Sequence, residues 1–275
     1  MTNLQEKTQI KEAIEEYCRI KRLSRNELAI QIGVSSATLS NMCNDKWNSI
    51  DDKMWKKVWN YVKPKSVGVT LNTVDLQDIE RMSEKARKYK LMLGLIGDTG
   101  MGKTVALESI SRKENTFYLY FDNQRPKQFF YQLGKLLGYD FEGSVYDMIS
   151  RACEVLNTLD SPLLMVDEAG KISDTILMHL HVLRDRTMQN CGIVLAGMPY
   201  FKMNLENRIK KQKIGMSEFY RRINLWHELK GLSRAEIDFI CEQNGIAKAD
   251  VKDFYRYKRF GDLSNEILLY KTINE

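Results

Sequence analysis

The chain has 275 residues, 43% of them hydrophobic and 28% charged, which is the composition of a globular protein long enough for two domains. Its 42 Lys and Arg against 36 Asp and Glu give a net charge of +6, which suits nucleic-acid binding without requiring it. No apolar run approaches the ~18 residues of a membrane span, and the first ten residues lack the apolar stretch of a signal peptide. The five cysteines form no C-x-x-C pair, so we expect free thiols in a reducing cytoplasm.

The first sixty residues carry the pattern of a small helical module. Ile10, Ile14 and Tyr17 follow helical spacing, and the run from Ser24 to Glu27 is a capping box that opens a second helix. Gly33 ends that helix, and a third begins just after it. A short helix, a glycine-containing turn and another short helix are the pattern of a helix-turn-helix.

The run 27–41 closely resembles the repressor-like helix-turn-helix family, with Ala29 where the helices pack, Gly33 at the turn and Ser35 capping the recognition helix. That resemblance implies a set of residues facing the DNA major groove. They are Ser35, Ser36, Ala37, Ser40 and Asn41. The set contains no Arg or Gln for a bidentate base contact, so we expect weak sequence preference. Residues 1–66 hold 12 Lys and Arg against 8 acids, which fits contact with phosphates. A module that only docks protein remains the alternative.

A phosphate-binding loop follows the apolar run 91–96, which we predict to be a buried strand. The loop matches G-x-x-x-x-G-K-[ST] in full and leads into a predicted helix over 105–112. Its glycines let backbone N–H groups surround an anion at the helix N-terminus. Lys103 can reach the β- and γ-phosphates of a nucleotide, and Thr104 can ligate Mg²⁺. The predicted ATP-binding residues are Gly97, Asp98, Thr99, Gly100, Met101, Gly102, Lys103, Thr104 and Val105.

Four more strand-like runs follow, at 116–121, 162–166, 192–196 and 224–229, separated by helical stretches. This alternation predicts an α/β fold with a parallel sheet of five strands. The third strand ends in Asp167 and Glu168, at the sheet edge where ligands bind. Asp167 suits the Walker B role of holding Mg²⁺, and Glu168 is placed to polarise the attacking water. The pair lies about 65 residues beyond the P-loop, the usual scale in this fold.

Four parts of the sequence resemble one family: the helical extension, the P-loop, the run from Val166 to Ala169 and the run from Leu195 to Pro199. That family is the AAA+ ATPases of DNA transposition, and the resemblance is closest to the phage Mu B-type target selectors. The resemblance covers essentially the whole chain. It implies an ATP-dependent ring or helical filament of identical subunits on double-stranded DNA, which recruits and stimulates a transposase. It also implies a helix-turn-helix domain at 1–62, a linker at 63–75, a P-loop AAA+ core at 76–230 and a small helical lid at 231–275.

Two sensor positions depart from the family pattern. Gly197 and Met198 occupy the corner where a polar residue would sense the γ-phosphate. In the lid, Ser264 stands where the family usually has an arginine after Gly-x-Leu. The resemblance therefore implies slow hydrolysis, or hydrolysis that depends on neighbouring subunits and on DNA.

Basic residues before the fifth strand indicate an arginine finger, which would reach the ATP of the next subunit. Of the six between positions 208 and 222, our hypothesis is Arg222 first and Arg221 second, with a solvated loop or a DNA contact as the alternative for the lysines. Arg125 and Lys127 follow the second strand, in a region that faces the filament axis in relatives, and are the predicted DNA contacts of the core.

Two other functions remain open from the sequence. One is a helix-turn-helix transcription regulator that uses ATP only as a binding switch. The other is an ATPase of the helicase-loader or secretion type. Palindrome-specific binding would favour the regulator, whereas sequence-tolerant binding that depends on DNA length would favour the filament.

Overall fold

A computed structural model describes residues 4–21, 23–48, 50–63 and 72–274. The helices are α1 Leu4–Lys21, α2 Arg25–Ile32, α3 Ser36–Cys43, α4 Asp52–Val62, α5 Val74–Tyr89, α6 Lys103–Ile110, α7 Pro126–Leu136, α8 Val145–Thr158, α9 Asp174–Thr187, α10 Tyr200–Lys210, α11 Met216–Arg222, α12 Arg234–Gln243, α13 Val251–Phe254 and α14 Phe260–Asn274. The strands are β1 Met92–Ile96, β2 Thr116–Tyr120, β3 Leu163–Asp167, β4 Gly192–Gly197 and β5 Leu225–Glu228. None of the helices over these residues is long and apolar enough to cross a membrane.

Helices α1 to α4 form a module with its own core, which includes the buried side chains of Ile14, Leu39 and Trp55. The predicted capping box at the start of α2 is present, because Ser24 and Glu27 cap each other's backbone N–H groups. Gly33 ends α2 in the left-handed conformation, with a φ of 72° that favours glycine. The short helix, turn and second helix predicted from the sequence are therefore all observed.

The five strands form one parallel sheet in the order β2-β3-β4-β1-β5. The predicted strand bounds agree with the observed ones to within one or two residues. Strands β1, β3 and β4 are buried along their whole length, which explains their unbroken apolar runs. Two clusters of buried side chains cover the faces of the sheet, and the carboxyl ends of β1 and β3 lie at the same edge. The predicted fold class, an α/β core with a five-stranded parallel sheet and helical modules on either side in sequence, is confirmed.

The predicted lid contains a cluster of helices α12 to α14, in which Ile237, Leu263 and Ile267 are buried. It begins with a capping box, in which Ser233 and Glu236 cap each other's backbone N–H groups. Glu236 also accepts a hydrogen bond from the backbone N–H of Val74, at the start of α5. Asp75 accepts two more from the backbone N–H groups of Lys230 and Gly231, at the junction between β5 and the lid. The lid is thus tied to the first turn of α5.

The predicted linker at 63–75 lies largely outside the described residues, which omit 64–71. Its last two residues belong to α5 instead, because Thr73 caps that helix through its side chain and Val74 is its first residue. The remaining division, into 1–62, 76–230 and 231–275, stays a prediction. The separate buried clusters of α1 to α4 and of α12 to α14 are consistent with it.

The module of helices α1 to α4, the predicted helix-turn-helix, contacts the elements around the sheet directly. The Lys21 ammonium donates hydrogen bonds to the backbone carbonyls of Thr116 (2.8 Å) and Lys113 (3.2 Å) at the start of β2. The Gln31 amide donates to the carbonyl of Leu136 at the end of α7, over 2.7 Å. Burial lowers the pKa of Lys21 to about 7, with a smaller contribution from the charge of Arg87.

Candidate nucleotide-binding site

The loop between β1 and α6 forms a cradle of backbone donors. Gly100 and Gly102 have φ angles of 79° and 82°, so the loop curls through conformations that glycine adopts without strain. Thr99 and Gly100 form a turn, and within the part of the chain that the structure describes the backbone N–H groups of 102–104 donate no hydrogen bond. A run of unpaired N–H groups at a helix N-terminus fits an anion such as a phosphate chain.

Lys103 is buried at the base of this loop. Its Nζ donates to the carbonyl oxygens of Gly97 (2.6 Å) and Asp98 (2.8 Å), so the loop's own backbone holds the ammonium. Burial lowers the pKa of Lys103, and the negative charges of Asp167 and Glu168 oppose that shift. The ammonium is in place to meet a phosphate that enters the cradle.

Asp167 is the fully buried acid at the end of β3. Its Oδ2 accepts hydrogen bonds from the hydroxyls of Thr104 (2.6 Å) and Tyr118 (3.1 Å), and its Oδ1 accepts one from the Glu168 N–H (2.8 Å). The structure therefore brings together the two predicted Mg²⁺ ligands, Thr104 and Asp167. A hydroxyl and a single carboxylate suit Mg²⁺, which is usually held by one or two protein groups together with substrate phosphates.

Glu168 follows Asp167 in the left-handed conformation, with a φ of 57° that is uncommon for a non-glycine residue. Its carboxylate Oε2 lies 3.0 Å from the Nζ of Lys171, which is half exposed. Such backbone strain often occurs at functional sites. Here it places an acid beside the Walker B aspartate, paired with a cation of the same chain.

The lid contacts the P-loop at its glycine-rich tip. The backbone N–H of Gly261 donates to the Gly100 carbonyl over 2.9 Å. A Cβ on Gly261 would lie only 3.2 Å from the Gly100 Cα, so the two backbones touch. Arg259 lies next to this contact and forms an ion pair with Asp262, with 2.6 Å between Nε and Oδ2. The lid thus brings an arginine near the cradle two residues before Gly261, whereas the family pattern led us to look at Ser264.

At the end of β4, Gly197 stands at the corner where the family pattern has a polar residue that senses the γ-phosphate. A Cβ there would lie 3.2 Å from the backbone nitrogen of Gly170 and from the Cβ of Phe201. The Gly197 carbonyl accepts a hydrogen bond from the N–H of Gly97, which joins the corner to the P-loop. The glycine is therefore explained by close packing.

The remaining predicted ATP-binding residues line the same loop. Thr99 and Val105 are exposed, Asp98 is half-buried, and Met101 packs against the second core cluster. Gly97 is buried against Leu229, whose side chain a Cβ would meet at 2.8 Å.

The predicted arginine finger is engaged within its own chain. The Arg222 guanidinium binds Asp185 on α9 through two hydrogen bonds, of 2.5 and 3.1 Å. This contact is the main cause of the lowered pKa of Asp185 and of the raised pKa of Arg222. Arg221, its neighbour on α11, is exposed.

The predicted groove-facing residues lie around the start of α3. Ser36 and Ala37 are exposed at its first turn. Ser35 caps the helix, and its hydroxyl accepts a hydrogen bond from the Thr38 N–H over 3.0 Å. Two others are half-buried, Ser40, which accepts a hydrogen bond from Asn44, and Asn41.

The two predicted DNA contacts of the core lie at the start of α7, at the opposite end of that helix from the Gln31 contact. Arg125 is exposed at the N-cap position. Lys127 is exposed and forms an ion pair with Glu142 over 2.9 Å. Of these two side chains, only Lys127 is paired with an acid among the described residues.

Sequence reasoning missed three side chains at the site, namely Tyr118, Lys171 and Arg259. Lys171 had a local signal, because it follows Glu168 by three residues in a turn. Tyr118 and Arg259 had none, because each reaches the site from a segment distant in sequence.

The central part of the chain is similar to a known protein family. Residues 86–205 match the family model of the AAA domain. The matched segment contains β1 to β4, the P-loop and the Asp167-Glu168 pair. No curated protein matches the chain.

The chain also has distant matches among solved structures. Orc1 from Aeropyrum pernix in complex with DNA is 15% identical, with a TM-score of 0.46 over 62% of this chain and 49% of that one. A DNA replication initiation factor is 15% identical, with a TM-score of 0.47 over 71% and 59%. NtrX from Brucella abortus in complex with ATP is 12% identical, with a TM-score of 0.48 over 83% and 58%. The chain thus spans about half to three fifths of the length of these proteins.

Proposed function

We propose that the chain is an ATPase that binds ATP and Mg²⁺ in the cradle 97–105 and uses the nucleotide to control its assembly on double-stranded DNA. The observation that carries the proposal is the arrangement around Asp167. This buried carboxylate is hydrogen-bonded to Thr104 of the P-loop, and Glu168 lies beside it. Unpaired backbone N–H groups line the adjacent loop. The arrangement supports binding and hydrolysis of a nucleoside triphosphate.

In this proposal, different residues bind the phosphates, hold the metal ion and activate the attacking water. The N–H groups of 98–104 and the Lys103 ammonium bind the phosphates, and Lys103 turns from the carbonyls of Gly97 and Asp98 to do so. Thr104 and Asp167 would hold Mg²⁺, which when bound neutralises charge on the phosphate oxygens. Glu168 orients the attacking water and accepts its proton. Its carboxylate must first leave Lys171, so the resting arrangement restrains hydrolysis.

The DNA part of the proposal rests on the helix-turn-helix module and on the exposed start of α7. Ser36 and Ala37 are accessible at the first turn of α3, the part that enters the major groove in this motif. Short polar side chains without a bidentate arginine favour loose sequence preference. Arg125 of the core would add a phosphate contact.

The finer proposal is target selection for a transposase, as in the Mu B-type proteins that the motifs resemble. ATP would assemble identical subunits on DNA as a ring or helical filament, and hydrolysis would release them. Arg222, or Arg221 beside it, would complete the site of the next subunit. Because Arg222 binds Asp185 in the single chain, its use in trans requires that pair to open on assembly.

A transcription regulator switched by ATP is the second candidate. The direct contacts of Lys21 and Gln31 with the sheet domain favour it, because they give nucleotide binding a route to the recognition helix. Such a regulator would bind one palindromic site, whereas the target selector would bind unrelated sequences in proportion to their length.

Two substitutions test the ATPase assignment. Lys103→Ala should abolish nucleotide binding, since it removes the cation that meets the phosphates. Glu168→Gln should keep ATP affinity near that of the parent and lower turnover by roughly 10²-fold or more, within the 10²–10⁴-fold range of general-base catalysis. Equilibrium binding of a labelled ATP analogue and steady-state phosphate release measure the two effects separately. Parental turnover in Glu168→Gln would show that Glu168 is not the base.

A further inference from the structure

Tyr118 connects the middle of β2 to the metal-holding carboxylate. In the parallel register, Tyr118 lies opposite Met165 and Tyr120 lies opposite Asp167. The Tyr118 side chain nevertheless reaches forward along the sheet, and its hydroxyl lies 3.1 Å from Asp167 Oδ2. The ring is partly buried and packs against the second core cluster, which includes residues of α6.

The three donors around Asp167 differ in what anchors them. The Thr104 hydroxyl belongs to a proposed Mg²⁺ ligand, so its bonding changes when the site fills. The Glu168 N–H belongs to the residue that must move for catalysis. The Tyr118 hydroxyl belongs to a different strand, and its ring is fixed by core packing. Of the three donors, only the Tyr118 hydroxyl restrains the carboxylate whether or not the site is filled and Glu168 moves.

The Tyr118 hydroxyl is the donor in its hydrogen bond with Asp167 Oδ2. A protonated phenol can only donate to an ionised carboxylate, so the direction of this hydrogen bond is fixed.

We propose that Tyr118 is a positioning residue for Mg²⁺ binding, which fixes the rotation of the Asp167 carboxylate by donating a hydrogen bond to Oδ2. The proposal rests on the proposed function, because it requires that Asp167 holds Mg²⁺ beside a bound nucleotide. Groups that orient a metal ligand in this way typically contribute 10- to 100-fold to metal affinity. A ring that only filled the core would contribute nothing through its hydroxyl.

The substitution Tyr118→Phe separates these two roles, since it keeps the ring and removes the hydroxyl. The measurement is equilibrium binding of a fluorescent, non-hydrolysable ATP analogue, once in EDTA and once across a Mg²⁺ titration. We expect affinity in EDTA within about twofold of the parent and a Mg²⁺ midpoint raised about tenfold. Tyr139→Phe is the matched control, because Tyr139 is also a partly buried tyrosine, but its hydroxyl bonds the Met148 carbonyl in the other core cluster. Its Mg²⁺ midpoint should equal that of the parent.

Three results would overturn the assignment. An unchanged Mg²⁺ midpoint in Tyr118→Phe would mean that the hydroxyl does not position Asp167. An equal loss of affinity in EDTA and in Mg²⁺ would mean that the hydroxyl supports the fold of the site in general. A parent protein that binds the analogue equally well with and without Mg²⁺ would instead contradict the proposed function, and the role of Tyr118 with it.

Discussion

Glu168, the proposed catalytic base, is restrained by its backbone conformation and by an ion pair. Its left-handed backbone and its ion pair with Lys171 both hold the carboxylate in one arrangement. The pair is partly exposed, so its contribution is modest, at about 0–1 kcal/mol. Restraint of this size adjusts the rate of an ATPase without abolishing it.

Lys171→Ala should raise the basal ATPase rate, by up to about fivefold, because Glu168 no longer needs to leave a cation before it meets the attacking water. Steady-state phosphate release in the absence of DNA measures the effect. Arg151→Ala is a suitable control, since Arg151 forms an exposed ion pair with Glu154 at the same i,i+3 spacing on α8. A rate in Lys171→Ala equal to or below the parent's would show that the pair does not restrain Glu168.

At the scale of elements, local patterns predicted most of the fold. The capping boxes at Ser24 and Ser233 and the apolar runs of the five strands are short-range signals, and each element was found where they indicated. The P-loop is equally local, because its chemistry lies in consecutive residues. Thr104 and Asp167 were each predicted as Mg²⁺ ligands from a local motif, and in the structure their side chains are joined by a hydrogen bond of 2.6 Å.

Contacts between distant segments could not be predicted. Tyr118 reaches Asp167 only because β2 pairs with β3 in one particular register. The pairing of Arg222 with Asp185 depends on how α11 packs on α9, and apolar spacing does not determine which charged residues meet across such an interface. The contact of Lys21 with β2 depends in the same way on how two modules dock.

The docking of α1 on the start of β2 should depend on pH. The pKa of Lys21 falls from its usual value of 10.5 to about 7 in the folded chain. Between these values the unfolded chain binds more protons at Lys21, so the residue's contribution to stability improves as the pH rises from 7 toward 10 and is constant below 7. The free energy of unfolding of the parent, minus that of Lys21→Met, should therefore increase from pH 7 to pH 9.

Urea unfolding of the two proteins at pH 7, 8 and 9 measures that difference. The control is Lys252→Met, at an exposed lysine of α13. The free energy of unfolding of the parent, minus that of Lys252→Met, should be the same at all three pH values. If the difference between the parent and Lys21→Met also stayed constant, the Lys21 ammonium would not be desolvated at this contact.

At the scale of the whole molecule, the site is expected to be completed by a second subunit. Arg222→Ala should bind ATP normally but lose stimulated hydrolysis, and Lys103→Ala should not bind ATP. A mixture of the two should recover activity, because the finger of the Lys103→Ala subunit can serve the intact P-loop of the other. An arginine finger contributes on the order of 10³-fold or more in related reactions, so recovery would stand well above background.

The same mixing experiment with Arg221→Ala identifies which arginine acts. Turnover per subunit should also rise with protein concentration in the parent. Turnover independent of concentration, with no recovery in either mixture, would mean that the site is complete within one chain and that the Arg222–Asp185 pair only joins α11 to α9.

Binding of the Glu168→Gln protein to duplexes of increasing length tests whether ATP assembles this chain on DNA with little regard to sequence. The measurement compares unrelated sequences, with ATP and Mg²⁺ or with neither, by fluorescence anisotropy. We expect binding that requires ATP, tightens with duplex length, differs little between sequences and weakens steeply with salt. Binding that is unaffected by ATP, or that is confined to one palindromic sequence whatever the duplex length, would contradict this expectation.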